Sequence, residues 1–231
     1  MSQPTTLAID IGGSGIKGML LDPTGQPISD RQRIPTPQPP TPDAVLGVIA
    51  QLGETLGECD RISVGFPGVV TQGIVRTAVN LSPTWQDFDL AKATTDTLQR
   101  PTRVANDADI QGYGVISGKG VELVVTLGTG FGSALFTQGK LVPNLEIAHH
   151  VFRKRKTYED CLGRRALKKK GNKTWNRNLQ RAIASLKHSF NYETLYIGGG
   201  ETKRISFELP DYAKVVPNKA GILGGIALWN D

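Results

Sequence analysis

The stretch that decides the fold is residues 7–21, LAIDIGGSGIKGMLL, near the start of the chain. Its apolar runs, residues 7–11 and 16–21, predict two buried strands. Glycine in the linker between them permits a positive φ and brings bare backbone N–H groups to the turn. The residues of this turn are Gly12, Gly13, Ser14 and Gly15. We expect a tight hairpin whose turn can face an anion.

Asp10 interrupts the first apolar run just before this turn. An unpaired buried carboxylate is costly, so the position calls for a partner. One interpretation is Mg²⁺, held directly or through water, with the glycine turn facing the phosphates that the metal bridges. The other is an ordinary tight hairpin with a solvated aspartate. The stretch by itself leaves both open.

The length of 231 residues suits two lobes better than one domain. Cys59 and Cys161 match no metal spacing and predict structural thiols in a reducing compartment. The first residues carry no basic-then-apolar signal, and no apolar run approaches the ~18 residues of a membrane helix. We expect a soluble, cytoplasmic protein without a membrane partner.

The net charge of +6 is unevenly distributed. Residues 153–173, the basic segment, carry ten basic and two acidic residues, or +8, which leaves −2 for the rest of the chain. The basic ones are Arg153, Lys154, Arg155, Lys156, Arg164, Arg165, Lys168, Lys169, Lys170 and Lys173. Such a local field attracts a polyanion and is weakened by salt. A solvated helix face or a nucleic-acid patch would give the same pattern.

Strand and helix patterns alternate along the chain and predict an α/β protein with mixed sheets. The first predicted helix has Thr41 as its N-cap and Pro42 as its first residue. The predicted elements include strands at 26–34, 61–66, 102–105 and 195–197 and helices at 42–56, 89–98, 158–170, 174–190 and 220–229.

The second half repeats the strand–glycine turn–strand arrangement. An apolar strand at 122–127 leads through Gly128, Thr129 and Gly130 into a strand at 133–137. Two glycine hairpins in one chain predict two related lobes that face each other across phosphate groups. Neither turn matches the dinucleotide fingerprint or a P-loop.

Four motifs in this order resemble the ROK family of sugar kinases. They are DIGGSGIKG (10–18), NDAD (106–109), LGTGFG (127–132) and GGGE (198–201). Within that family, FPGVV (66–70), PTPQPP (35–40), LVPNLE (141–146) and NKAGILG (218–224) resemble the polyphosphate glucokinases. The resemblance implies a two-lobed, actin/hexokinase-like (ribonuclease H-like) fold. We expect residues 1–105 with 219–231 to form the small lobe, and 106–218 the large lobe with the catalytic aspartate.

The resemblance also implies roles for single residues. Asp107 matches the family's catalytic base, although a plain helix cap would explain it too. Lys17, Gly199 and Gly200 join Asp10 and the two glycine turns as phosphate-binding positions. The sugar-binding positions are Asn80, Asn106, Glu146, His149 and Glu159. Carboxylates and amides suit a hexose because they fix several hydroxyl groups.

The chain departs from the family at two points. The family's Glu-x-Gly-His reads Glu146-Ile-Ala-His149 here, with Ala148 in place of glycine. The cysteine-rich zinc motif common in ROK proteins is missing, so we expect no zinc and assign His149 to sugar hydroxyls. Glu159 lies next to many basic residues, and a helix salt bridge would also explain it.

The phosphoryl donor is the open question at this stage. GGGE (198–201) stands where the family receives adenosine, which favours ATP. A polyphosphate chain needs a long basic track, and the basic segment is a candidate. We expect polyphosphate, with ATP left open as a second donor, Mg²⁺ as cofactor, and glucose as acceptor with mannose not distinguished. The family implies a homodimer.

Two other classes of function compete with a kinase. ROK repressors carry an N-terminal helix-turn-helix, for which the chain leaves no room before residue 10. An RNA-binding or other polyanion-binding module would use the basic segment, but that segment lacks interleaved aromatic residues apart from Tyr158 and Trp175, which disfavours base stacking. Such a module leaves Asp10 and Asp107 unexplained, so we expect no nucleic-acid partner.

Overall fold

The computed structural model describes residues 3–78, 81–217 and 220–230. It divides into two compact units, Met1–Gly114 with Lys219–Asp231, and Val115–Asn218. The expected lobe boundary before residue 106 stays a prediction, and the compact units divide after Gly114. Among the described residues, no helix is both long and apolar enough to cross a membrane.

The first unit is built on a mixed sheet in the order β3-β2-β1-β4-β7. Its elements before Gly114 are β1 (Thr6–Gly12), β2 (Gly15–Leu21), β3 (Gln32–Ile34), α1 (Pro42–Leu56), β4 (Arg61–Phe66), β5 (Val70–Thr71), β6 (Ile74–Val75), α2 (Leu90–Leu98), β7 (Thr102–Asn106) and α3 (Asp107–Tyr113). β1 and β2 form the predicted antiparallel hairpin, whereas β1, β4 and β7 run parallel. The carboxyl ends of these three strands therefore meet at one edge.

Helix α1 shows why this unit folds as the sequence predicts. The Thr41 side chain accepts a hydrogen bond from the Ala44 backbone N–H, and Pro42 fills the first helical position. Val45, Ile49 and Leu52 are fully buried and belong to the same core as the apolar side chains of β1 and β4. Each such side chain contributes about 1.5–3 kcal/mol on burial.

The second unit has a mixed sheet in the order β10-β9-β8-β13-β14. Its elements are β8 (Val121–Leu127), β9 (Phe131–Thr137), β10 (Lys140–Val142), β11 (Val151–Arg153), β12 (Lys156–Thr157), α4 (Tyr158–Leu162), α5 (Arg164–Phe190), β13 (Thr194–Gly198) and β14 (Ala213–Val215). β8 and β9 form the second predicted hairpin. Buried Trp175, Leu179 and Ile183 of α5 pack into the core of this unit.

Three predicted element boundaries are wrong. The helix predicted at 158–170 breaks at Gly163, whose extended backbone separates α4 from α5, and α5 continues to Phe190 through a kink at Gly171 with φ 76°. The strand predicted at 26–34 is regular only in β3. The terminal helix is a short α6 (Ala220–Leu223) followed by a 3-10 helix, Gly224–Trp229.

Gly224 and Gly225 explain why the terminal helix changes from α to 3-10 geometry. Glycine is a poor helix former. A Cβ on Gly224 would lie 1.8 Å from the Ile110 carbonyl oxygen, so only glycine allows this close approach to α3. The Gly225 carbonyl accepts a hydrogen bond from Ser63 Oγ at 2.7 Å, which fastens the segment to β4.

Candidate active site

The first hairpin brings Asp10 and Lys17 face to face. They are direct partners in the β1–β2 register, and Lys17 Nζ lies 2.6 Å from Asp10 Oδ2. Both side chains are partly exposed. The partner that the sequence left open is thus a lysine within the same hairpin, and a cationic Nζ stands beside the predicted phosphate-binding turn.

The turn of this hairpin uses glycine for space, since none of its glycines has a positive φ. A Cβ on Gly15 would lie 2.5 Å from Arg33 Nη2, which donates a hydrogen bond to the Ser14 carbonyl at 2.7 Å. A Cβ on Gly12 would lie 2.9 Å from the Gly15 carbonyl oxygen. At Gly13 a Cβ would meet nothing within 4 Å, so this position is open to a ligand.

Asp107 is the first residue of α3 and follows β7 directly. The helix is capped by Asn106, whose Oδ1 accepts a hydrogen bond from the Ala108 N–H at 2.8 Å. Asn106 Nδ2 donates to the Gly68 carbonyl at 3.0 Å, which ties the cap to the loop after β4. Asp107 Oδ1 also accepts from Ala108 N, at 2.8 Å. Asn106 is thus the N-cap residue and Asp107 the first helical residue, and both side chains accept a hydrogen bond from the same N–H group.

The strand register places Asp10 and Asp107 at the same edge of the sheet. Asp10 lies beside Gly65 of β4, and Gly65 lies beside Ala105 of β7. Two strand spacings separate the backbones of Asp10 and Ala105, or about 10 Å. Asp107 follows Ala105 by two residues, just beyond the sheet, so both carboxylates belong to the edge where the parallel strands end.

In the second hairpin the turn lies against Glu159 of α4. Glu159 Oε2 accepts a hydrogen bond from the Phe131 N–H at 3.3 Å. A Cβ on Gly130 would lie 2.4 Å from the same oxygen, whereas a Cβ on Gly128 would meet nothing within 4 Å. The turn therefore has one glycine packed against a carboxylate and one open glycine, with Thr129 between them.

Glu146 and His149 lie near this carboxylate in the same unit. Glu146 Oε2 is 3.7 Å from His149 Nε2. Burial raises the pKa of Glu146, nearby His149 opposes the shift, and the Glu159 carboxylate adds to it. Ala148, at the position of the family's glycine, is buried. The structure thus brings together three of the predicted sugar-binding residues.

Arg164, at the start of α5, is a site residue that the sequence analysis did not single out. Its Nε donates to Glu201 Oε1 at 2.6 Å, and its Nη1 lies 3.4 Å from Thr129 Oγ1. The Glu201 N–H donates to the Leu127 carbonyl at 3.0 Å. Gly199 is required here, because its φ is 94° and a Cβ would lie 2.2 Å from the Leu127 carbonyl oxygen. Arg164 therefore links the second glycine turn to the GGGE motif.

Two further predicted features are the sugar contact of Asn80 and a bound metal ion. Asn80 lies outside the described residues. Within the described residues, no group of three or more histidine, cysteine or acidic side chains could hold a metal ion. Mg²⁺ usually keeps several waters and is held by one or two carboxylates together with substrate phosphates. Asp10 fits this mode of binding, which needs no closed site made of protein ligands alone.

The two mixed sheets and their glycine hairpins define an α/β protein of the actin/hexokinase-like class. The model of the ROK family matches residues 6–148, and the chain belongs to this family. It is similar to the polyphosphate glucokinase of Mycobacterium leprae (strain TN), with 34% identity over 94% of this chain and 72% of the relative. It is also similar to the polyphosphate glucokinase of Mycobacterium tuberculosis (strain CDC 1551 / Oshkosh), with 35% identity over 94% of this chain and 88% of the relative. The inorganic polyphosphate/ATP-glucomannokinase of Arthrobacter sp. strain KM has a similar structure, with a TM-score of 0.86, 35% identity and coverage of 98% of this chain and 99% of that one. The predicted family and fold are confirmed.

Proposed function

We propose that this chain is a kinase that transfers a phosphoryl group from polyphosphate to the 6-hydroxyl of glucose and releases glucose 6-phosphate. ATP serves as a second donor. The observation that carries the proposal is the contact between Glu159 and the second glycine turn, because it joins the candidate sugar site to the candidate phosphate site. Polyphosphate is favoured as donor because the mycobacterial relatives named above are polyphosphate glucokinases.

In the proposed reaction the 6-hydroxyl oxygen attacks the terminal phosphorus of the donor. The bond from this phosphorus to the bridging oxygen breaks, and the shortened polyphosphate, or ADP, leaves with the electron pair. The hydroxyl proton passes to the carboxylate of Asp107. Phosphoryl transfer asks a protein mainly for positioning and for charge stabilisation, which Lys17 and the two turns would supply.

Mg²⁺ is part of the proposal and would neutralise charge on the donor phosphates when bound. Asp10 would hold it, directly or through water, and Lys17 would then turn from Asp10 toward a phosphate. Glu146, His149 and Glu159 would hold the glucose hydroxyls, with Asn80 and Asn106 as further sugar contacts. Asn106 would have to do so while capping α3.

Cellular location and assembly belong to the proposal as well. We propose a cytoplasmic homodimer. Each subunit has two lobes, one of residues 1–105 with 219–231 and the other of residues 106–218. Family resemblance is the support for the dimer. Light scattering coupled to gel filtration measures its mass, and a monomer at micromolar concentration would contradict it.

The test is formation of glucose 6-phosphate, measured by coupling to a dehydrogenase. Polyphosphate and ATP are supplied in turn, with glucose or mannose, and with Mg²⁺ or a chelator. We expect product from glucose with polyphosphate and Mg²⁺, and less from ATP. Mannose is included because the name of the Arthrobacter relative covers both hexoses. No product with either donor would overturn the proposal, and binding of polyphosphate without turnover would favour a polyanion-binding module.

A further inference from the structure

A basic cavity of about 300 Å³ opens beside the second glycine turn. It lies wholly in the second unit. Its walls come from the turn, β12, α4 and the first turns of α5, and they consist of Thr129, Lys156, Glu159, Asp160, Gly163, Arg165, Ala166, Lys169 and Lys170. Its volume is at the lower end of the range for ligand pockets.

The charge of the cavity is positive, with four cationic and two acidic side chains on its walls. Both acids already accept hydrogen bonds from backbone N–H groups of the protein. Asp160 completes a capping box with Thr157, whose N–H donates to Asp160 Oδ2 at 3.1 Å, and Glu159 accepts from the N–H of Phe131. Lys170 Nζ donates to the Asp160 carbonyl oxygen. Within the described residues, no ion pair joins Arg165 or Lys169 to a carboxylate, so their charges are available to a ligand.

Helix geometry separates the cavity from the rest of the basic segment. Arg165 and Lys169 are four residues apart on α5 and share one face, which lines the cavity. Lys168 is exposed on the same turn but does not line it. Arg164 is directed to Glu201 and Thr129 instead. The uniform basic track suggested by the sequence is thus divided between different faces.

We propose that this cavity binds the phosphate groups of polyphosphate that lie beyond the transferred phosphoryl group. This inference rests on the proposed function, because it concerns the donor of that reaction. Thr129 belongs both to the glycine turn and to the cavity wall, so a chain held at the turn can continue into the cavity. The walls contain no aromatic side chain to stack on a base, and Ala166 is their only aliphatic one, so the lining suits repeated phosphates better than a nucleoside.

The experiment compares Lys169→Gln with Lys168→Gln, which removes the same charge from the same helical turn outside the cavity. Initial rates are measured against the concentration of long-chain polyphosphate, of tripolyphosphate and of ATP, at two ionic strengths. For Lys169→Gln we expect an increase of about tenfold in the KM for long chains, as for the loss of one charge-assisted hydrogen bond, and a smaller salt dependence. Tripolyphosphate, ATP and glucose should be affected less than twofold, and Lys168→Gln should change every KM less than twofold.

Three results would overturn the inference. The first is an equal increase in the KM for long-chain polyphosphate in both variants, and the second is no increase in either. The third is an equal increase in the KM for ATP and for long-chain polyphosphate in Lys169→Gln. Direct binding of fluorescent long-chain polyphosphate to the parent and to both variants separates this inference from the proposed function. If the parent binds the chain through Lys169 but forms no glucose 6-phosphate, the cavity stands and the kinase assignment fails. If the parent is active and Lys169→Gln is indistinguishable from it in rates and binding, the kinase assignment stands and the inference about the cavity fails.

Discussion

The two glycine hairpins have the same chain path but different surroundings. In each, two seven-residue strands enclose a turn with one glycine that is open to a ligand, Gly13 in the first and Gly128 in the second. Charges reach the first turn from its own strands, through Asp10 and Lys17, and from the neighbouring β3, through Arg33. They reach the second from helices that follow later in the chain, through Glu159 and Arg164.

From this difference we infer, as part of the proposed function, that the two turns have different roles. A metal ion and the reacting phosphate need a carboxylate and a cation at fixed positions, and a hairpin fixes both through its register. A hexose and a long donor need groups spread over a larger surface, which helices packed beside a turn can supply. The predictions below test these roles, starting with the largest expected effect.

Asp107→Asn should lower kcat by about 10²–10⁴, because a proton acceptor is lost while the shape of the side chain is kept. The measurement is the rate of glucose 6-phosphate formation with saturating polyphosphate and glucose. The thermal unfolding midpoint of the variant, with and without glucose, serves as the control, because the fold and glucose binding should be unchanged. Near-parental kcat in a folded variant would remove Asp107 from the mechanism and leave the sheet edge without its base.

Alanine at the open glycines tests whether both turns face phosphate. In Gly13→Ala and Gly128→Ala the new methyl group meets no protein atom within 4 Å, so stability should be unchanged. If donor phosphates approach these positions, each variant should lose about 10² in kcat/KM, as for a misplacement of about 1 Å. Donor kinetics and thermal unfolding together give the answer. Gly12→Ala is the contrast, because its methyl group would lie 2.9 Å from the Gly15 backbone oxygen and should lower stability as well. Full activity in Gly128→Ala but not in Gly13→Ala would restrict phosphate contact to the first turn.

The parts of the site predicted from sequence are those in which local pattern and chemistry coincide. The hairpin at Asp10 and Lys17, the cap of α1 at Thr41 and the start of α3 at Asp107 each depend on a few adjacent residues. Arg164 escaped prediction because its partner Glu201 is distant in sequence. The break at Gly163 was not predicted because the residues on both sides favour a helix. The close approach of the Thr129 carbonyl to Gly163 is a tertiary contact that the local sequence does not show.

Buried Glu122 shows the same limit away from the site. The sequence places it in an apolar strand and does not indicate that its carboxylate pairs with Tyr196, which is 74 residues away. In the structure its carboxylate accepts hydrogen bonds from Tyr196 Oη at 2.6 Å and from the backbone N–H groups of Ser117 and Gly118. These bonds lower the pKa of Glu122 although burial acts in the opposite direction. The pairing with Tyr196 lies beyond any local pattern, whereas Ser117 and Gly118 are only five and four residues away.

Asp10→Asn should raise the Mg²⁺ concentration needed for half-maximal activity by about tenfold or more, as is typical when a metal's supporting ligand is lost. The measurement is a Mg²⁺ titration at fixed donor and glucose concentrations. Lys17→Gln is the matched variant, since it breaks the same ion pair but keeps the carboxylate. It should raise the donor KM without raising the Mg²⁺ requirement. Equal shifts in the Mg²⁺ requirement of both variants would mean that Asp10 acts only by holding Lys17.

Glu146→Gln has the smallest expected effect and the most specific one, because it should raise the stability of the fold while weakening glucose binding. Asp10 has a lysine partner at 2.6 Å. Within the described part of the chain, the side chain paired with Glu146 is that of His149, at 3.7 Å, while burial and the nearby Glu159 carboxylate disfavour its ionised form. Burial raises its pKa, so the folded state binds the proton more tightly than the unfolded state does, and the contribution of this group to stability falls as the pH rises above its ordinary pKa of about 4.5. The glutamine variant should therefore unfold a few degrees higher than the parent at pH 7.5, with little difference at pH 5, while the glucose KM rises about tenfold. Thermal unfolding at both pH values and glucose kinetics at pH 7.5 make the comparison. A lower midpoint for the variant at pH 7.5 would show that the ionised carboxylate stabilises the fold, and an unchanged glucose KM would remove Glu146 from the sugar site.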